Sequence, residues 1–276
     1  MKLIVDSGAT KADWCLVSEG RQVARVQTPG ISLTFMSPED VGKVAAEALK
    51  GLGEDFAPDI TEVHFFAAGL VQRPERALED VFPAACIEYE SDLVAAARAV
   101  CGRRPGIAAI IGTGSNSCLW DGWKVTANIR PGGFILGDEG SGAVLGKLFL
   151  ADYLRGLVSG KVAEAFASRF DASYLSIVKG VYRSEAPSRY LGSIVPFILE
   201  NQGDEYIDSL IYSNFRSFFE RCLSRYEAPA GTPVGIVGGL AAACSGLIGK
   251  AASECGMKVS KILSSPMEGL TEYYGI

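Results

Sequence analysis

The chain has 276 residues, 48% of them apolar, and a formal net charge of −6. That is enough apolar material to fill the cores of two ordinary domains, and the acidic balance argues against a nucleic-acid-binding surface. No apolar stretch approaches a membrane span and Met1-Lys2 leads straight into a strand pattern without a charged leader, so the sequence is read as cytosolic. In chain order, Leu3-Ile4-Val5 reads as a strand running into Asp6-Ser7-Gly8-Ala9-Thr10-Lys11. A second strand over 12–17, a Glu19-Gly20 turn and a third strand over 23–26 complete a hairpin. Ser37-Pro38-Glu39-Asp40 is a helix start, with a hydroxyl cap, Pro in the first turn and acids at the positive end of the dipole; the helix is expected to reach about residue 52. A strand over 63–67, a helix over 73–81, a strand over 86–89 and a helix over 92–100 follow, an alternation that means an α/β domain. Cys101-Gly-Arg-Arg-Pro-Gly106 is polar and turn-rich, and marks the expected domain boundary.

The second half opens in the same way. Ala108-Ala109-Ile110-Ile111 reads as a buried strand, followed at once by Gly112-Thr113-Gly114-Ser115. Strands over 116–120 and 123–127, joined by Asp121-Gly122, form another hairpin. A Walker-type loop is excluded, because it needs Gly-Lys-Ser/Thr opening a helix. After Gly132-Gly133-Phe-Ile-Leu-Gly137-Asp138-Glu139-Gly140-Ser141-Gly142 come five predicted helices, over 139–155, 161–169, 172–181, 187–201 and 205–226. A strand over 233–237, Gly238-Gly239, a helix over 240–253, a strand over 258–263 and a helix from about residue 266 close the chain.

Small-residue turns at strand ends suit phosphate. Glycine lets the main chain approach a ligand, successive amides form an anion nest, and Thr113 and Ser115 add hydroxyls. A tight turn without a ligand is the competing explanation for either turn alone; their recurrence at equivalent places in both halves is far more specific. Asp6 is a carboxylate at a strand end, able to hold hydrated Mg²⁺ near phosphates or simply to cap the turn. Lys11 is either a solvated charge or a phosphate partner. Asp92 starts a helix directly after a strand, which suits a base for phosphoryl transfer and equally suits plain helix-dipole stabilisation. Asp138 and Glu139 are a pair of acids that an ordinary solvated cap would also explain. The seven cysteines (Cys15, Cys86, Cys101, Cys118, Cys222, Cys244 and Cys255) include no Cys-x-x-Cys pair and read as scattered reduced thiols.

Taken in order, Asp6-Ser-Gly-Ala-Thr-Lys, Ser91-Asp92 heading an Ala-rich helix, Ile111-Gly-Thr-Gly-Ser, Gly133-Phe-Ile-Leu-Gly-Asp-Glu-Gly-Ser, Val234-Gly-Ile-Val-Gly-Gly and Ser265-Pro-Met-Glu-Gly-Leu cover nearly the whole chain. This pattern resembles the actin, hexokinase and heat-shock-protein ATPase superfamily, and within it the N-acetylglucosamine kinase-like branch, the BadF/BadG/BcrA/BcrD ATPase family. The resemblance implies two ribonuclease H-like (actin-like ATPase) domains, 1–105 and 106–276, around a nucleotide cleft. A helical insertion over about 150–230 belongs to the second, and the last helix is expected to pack back on the first. It implies ATP and Mg²⁺ as cofactors, with Asp6, Gly8, Thr10, Lys11, Gly112, Thr113, Gly114 and Ser115 at the phosphates, Asp6 nearest the metal, and Gly238 and Gly239 at adenosine. Asp92 matches the family's base. Ser32, Gly133, Asp138 and Ser141 fall on the side of a sugar or amino sugar acceptor. Ser32 stands where related hexosamine kinases carry Asn and offers one hydroxyl in place of an amide donor and acceptor, so N-acetylglucosamine itself is not assured as the substrate. A homodimer is the family expectation. An ATPase that activates a partner enzyme through an iron-sulfur cluster, or a non-catalytic nucleotide or sugar sensor, are the alternative readings.

Overall fold

The computed structural model describes residues 1–8, 11–33, 36–70 and 78–275. The chain forms two compact units, one from Met1–Arg104, Asp121–Val125 and Ser265–Ile276, the other from Pro105–Trp120 and Thr126–Ser264. Each is built on a five-stranded mixed sheet.

In the first unit β1 (Lys2–Ser7), β2 (Lys11–Ser18) and β3 (Arg21–Pro29) form an antiparallel meander, and β4 (Glu62–Ala67) and β5 (Cys86–Ser91) add in parallel, giving the order β3-β2-β1-β4-β5. The central β1 has neighbours on both edges and buries Leu3, Ile4 and Val5 on both faces, which explains its unbroken apolar run. Glu19 (φ 48°) and Gly20 (φ 73°) make the left-handed pair that a two-residue hairpin requires. Helix α1 (Pro38–Leu52) begins as expected, with the Ser37 hydroxyl accepting from the Asp40 amide, a cap worth about 1 kcal/mol. It packs on β3, whereas α2 (Asp92–Cys101) packs against a helix from the far end of the chain.

The second unit repeats the topology. Strands β6 (Gly106–Ile111), β7 (Ser115–Trp120) and β8 (Val125–Ala127) make the meander, β9 (Val234–Val237) and β10 (Val259–Leu263) add in parallel, and the order is β10-β9-β6-β7-β8. Counted from the central strand outward, the two sheets are wired identically. Between β8 and β9 lie α3 (Gly133–Leu136), α4 (Gly142–Tyr153), α5 (Gly160–Arg169), α6 (Tyr174–Tyr182), α7 (Pro187–Gly192), α8 (Val195–Glu200) and α9 (Glu205–Arg221). Their core is aromatic, with Phe149, Phe166 and Phe197 meeting edge to face at 5.1–5.7 Å. Helices α10 (Gly239–Ala243) and α11 (Ser245–Glu254) precede β10, and α12 (Met267–Tyr274) belongs to the first unit.

Several expected elements differ. The helix over 187–201 divides into α7 and α8, because Pro196 lacks an amide and its ring excludes the carbonyl four residues earlier, so it opens a new helix. The helix over 240–253 breaks at Cys244. Strand β8 starts at Val125, since the Asp121 carboxylate takes the amides of Trp123 (2.8 Å) and Lys124 (2.9 Å) into the turn. The 3₁₀ turn Glu54–Asp59 and the short α3 carried no sequence signal. Of the helix expected over 73–81, residues 73–77 lie outside the described residues, and 78–81 form a turn.

The alanines of α2 serve close packing. A Cβ on Gly269 of α12 would lie 2.3 Å from the Ala99 carbonyl, so two small-residue surfaces let these helices touch through their backbones. The rim of this contact is polar: Glu88 accepts from Arg98 (3.0 Å from each of two nitrogens) and from the Tyr274 hydroxyl (3.2 Å), and lies 2.7 Å from His64 Nδ1. The His64 ring stacks on Tyr274 at 3.8 Å. Burial works against the Glu88 charge, but His64 and Arg98 outweigh it and hold the carboxyl down at about 2. A lowered pKa contributes stability above the ordinary value of 4.5 that is lost as pH falls towards 2. Glu88→Gln is therefore expected to be less stable than the parent at pH 7, with the difference shrinking between pH 4.5 and pH 2. Urea midpoints across that range measure it.

Candidate functional site

In the first unit the candidate residues collect at the carboxyl ends of parallel strands, where open α/β sheets present their ligand sites. Ser7, Ala67 and Ser91 are level across β1, β4 and β5, so Ser7 and Ser91 lie two strand spacings apart, roughly 10 Å. Asp6 precedes the first and Asp92 follows the last. Asp6 also sits directly opposite Asp13 on β2. Burial, then the charges of Asp92 and Asp13, raise the Asp6 carboxyl to about 7, with Lys11 pulling the other way. Asp13 pairs with Arg25 of β3, whose Nε donates to it at 2.8 Å. Asp92 opens α2 behind the Ser91 cap, which accepts from the Val94 amide. Burial raises its carboxyl, while the amide of Leu93 and its own amide oppose the rise.

The Gly8 amide donates to the Lys11 carbonyl at 3.0 Å and closes the turn, leaving Gly8 and Lys11 exposed. Thr10 lies outside the described residues. Ser32 sits on the loop after β3, where its carbonyl accepts from the Met36 amide at 2.9 Å.

The second unit holds the other candidates, again at strand ends. Ile110 and Val237 are level on β6 and β9, which puts Gly112–Ser115 beside Gly238 and Gly239. The amides of Gly142 and Ala143, in the first turn of α4, donate to the carbonyls of Gly112 (2.8 Å) and Thr113 (2.9 Å). Thr113 and Gly114 are exposed, and among the described residues their amides donate to no protein acceptor. This is the open donor surface expected of an anion nest. Gly238 and Gly239 differ in kind. At Gly238 φ is +145° and a Cβ would lie 1.9 Å from the Ile111 carbonyl; at Gly239 a Cβ meets nothing within 4 Å.

Asp138 joins the two halves of this edge. Its backbone is left-handed (φ 55°), and the amides of Ser115 and Gly133 lie on the side of its carboxylate and favour the charged form. A Cβ on Gly114 would lie 3.1 Å from Asp138 Oδ2, so the acid touches the Gly-Thr-Gly turn itself. Burial, aided by Glu139, raises its carboxyl against those amides. Gly133 is exposed at the start of α3.

Two hydroxyls expected at ligands have structural partners instead. Ser141 is 0% exposed and caps α4 by accepting from the Val144 amide at 3.2 Å, so it cannot meet an acceptor directly. Ser115 is buried and its hydroxyl donates to the Glu139 carbonyl at 2.8 Å. Glu139 pairs with Arg221 (2.9 Å), turning its carboxylate towards the end of α9. One residue that the sequence did not flag is Asn214 of α9, 2% exposed. Its Oδ1 accepts from the Gly140 amide (3.0 Å) and its Nδ2 donates to the Ser141 carbonyl (3.2 Å), fixing the turn behind Asp138. A polar residue among the apolar positions of α9 was the available signal.

Among solved structures, a Porphyromonas gingivalis protein bearing the description "putative N-acetylglucosamine kinase" is 38% identical to this chain, covering 100% of it and 99% of that chain with a TM-score of 0.92. The chain belongs to the N-acetylglucosamine kinase-like family. A Chromobacterium violaceum protein of the same description superposes at a TM-score of 0.68 with 18% identity, over 98% of this chain and 97% of that one. A ROK family glucokinase from Streptomyces griseus, solved with glucose and AMPPNP, gives 0.53 with 15% identity over 99% and 97%. These two share the fold, the two-domain actin-like ATPase architecture. No protein-family model matches the chain, and no curated protein matches it. Among the described residues no helix is long and apolar enough to cross a membrane.

Two outcomes are expected from this geometry. Gly238→Ala should cost about 3 kcal/mol or more through overlap and backbone strain, whereas Gly239→Ala should leave the thermal midpoint within a degree or two. Asp6 has a raised pKa, so its ionisation favours the unfolded chain increasingly as pH climbs from 3.8 to 7. Asp6→Asn should match the parent at pH 4 and melt a few degrees higher at pH 8 in metal-free buffer.

Proposed function

We propose that this chain transfers the γ-phosphoryl group of ATP to a hydroxyl of a sugar or amino sugar. Full-length kinship at 38% identity with the Porphyromonas gingivalis protein is the observation that carries the reading. Two sheets of one topology, each with a small-residue turn at the end of its central strand, support it. In the first unit Gly8 and Lys11 are the phosphate contacts; in the second they are Gly112 and the exposed amides of Thr113 and Gly114, with Gly239 leaving room for adenosine.

Asp6 is the residue to hold Mg²⁺. A carboxyl raised to about 7 by burial and two like charges gains from a cation beside it. When bound, the ion neutralises charge on the β- and γ-phosphates. Asp92 takes the proton from the attacking hydroxyl; its raised pKa brings it closer to the range in which a general base works at neutral pH. Asp138 accepts hydrogen bonds from acceptor hydroxyls, from a left-handed backbone position in contact with Gly114. Ser32 is the further acceptor contact, and its single hydroxyl leaves hexoses and hexosamines as candidates alongside N-acetylhexosamines.

The test is ADP release with ATP and Mg²⁺ across hexoses, hexosamines and N-acetylhexosamines, run beside Asp92→Asn. At least one acceptor should raise ADP release well above background, and Asp92→Asn should lower kcat for it by about 10²–10⁴-fold with little change in the KM for ATP. Equal turnover by parent and variant would remove Asp92 from the base role, and no stimulation by any acceptor would overturn the kinase reading.

A further inference from the structure

Ser7 stands next to Asp6 on β1 but faces the other side of the sheet, and it is 1% exposed. Its hydroxyl accepts from the Ile31 amide at 2.8 Å and donates to the Ile31 carbonyl at 3.0 Å, a two-way bond across 24 residues to the loop after β3. Both groups lie inside the unit, where an unpaired amide or carbonyl is costly, so the bond holds the backbone at one height and in one orientation. The Ile31 side chain, 2% exposed, is part of the same core as Leu3 and Val5. The loop is tied at its start too: Trp14 Nε1 donates to the Thr28 hydroxyl at 2.9 Å, which donates to the Pro29 carbonyl at 3.0 Å. Beyond Ile31 the Ser32 amide and carbonyl both meet Met36. Ser32 is thus presented from a backbone pinned at the residue immediately before it.

We infer that Ser7 is the positioning residue for the acceptor loop, fixing the place of Ser32 through its paired bonds to Ile31 and thereby setting acceptor affinity. This rests on the kinase reading above. Because Asp6 and Ser7 are consecutive residues of one strand, the phosphate side and the acceptor side share a rigid reference, with neighbouring side chains on opposite faces serving each. A shift of the loop relative to the β1 end would change the fit of the sugar while leaving Asp6 and Gly8 in place.

Ser7→Ala and Ser7→Thr separate this role from simple stability. With the acceptor that the parent uses best, Ser7→Ala should raise acceptor KM about tenfold, with kcat and the KM for ATP changed less than twofold. Ser7→Thr, which keeps the hydroxyl, should recover most of the loss. Hydrogen exchange on the folded proteins adds a readout independent of turnover: the Ile31 amide should exchange faster in Ser7→Ala and at the parent rate in Ser7→Thr. A parent active on sugars with an unchanged acceptor KM in Ser7→Ala, or with both substrate KM values raised alike, overturns the assignment of Ser7 alone. A parent that turns over no acceptor overturns the kinase reading and the acceptor role of Ser7 with it.

Discussion

Two backbone hydrogen bonds, from the Gly142 and Ala143 amides to the Gly112 and Thr113 carbonyls, organise the second unit's candidate site. The first amides of a helix have no partner of their own and carry the positive end of its dipole. Here that end is spent on the carbonyls of the Gly-Thr-Gly turn, so α4 acts as a clamp on the turn and not as the anion site itself. With those carbonyls drawn into the helix, the turn keeps the amides of Thr113 and Gly114 exposed. The same helix start depends on the Ser141 cap and on Asn214, so a buried amide in α9 helps to set the shape of a turn at the far end of β6.

The first unit works under a different constraint, the accumulation of negative charge. Asp6, Asp13 and Asp92 converge, and among the described residues only Asp13 of the three has an arginine partner. Keeping like charges together lowers the stability of the unliganded fold, a recurrent property of sites whose ligand supplies the missing charge. The His64–Glu88–Arg98–Tyr274 rim in the same unit is the opposite case, with opposite charges paired although Arg98 Nε is buried without an acceptor among the described residues, and it borders the α2–α12 contact.

What could be read in the sequence was local. Apolar runs ending in Asp6-Ser-Gly and Gly112-Thr-Gly gave the two central strands and their turns, and the Glu19-Gly20 and Asp121-Gly122 pairs gave the hairpins. Ser37-Pro-Glu-Asp gave the start of α1. What escaped was non-local or ambiguous at short range. The bond between Ser7 and Ile31 spans 24 residues and leaves no periodic trace. Asn214 meets its partners 73 and 74 residues away. A serine before a helix or at the start of a strand looks the same whether it bonds the backbone or faces a ligand, so the buried states of Ser141 and Ser115 emerged only from the fold. Pro196 stands inside the stretch read as one helix over 187–201, and the structure puts it in the first turn of a new helix.

The first unit draws α12 from residues that follow the whole of the second unit. Lys2 donates to the Tyr274 carbonyl, and Gly20 and Gly275 meet without room for a side chain on either. During synthesis, then, the domain that is made first waits longest for its last piece. The second unit has all of its strands once β10 has emerged, while the first still lacks the helix that covers α2 and its face of β1 until the ribosome has passed Tyr274. Until then the surface of α2 that α12 covers stays open, whatever the state of the second unit.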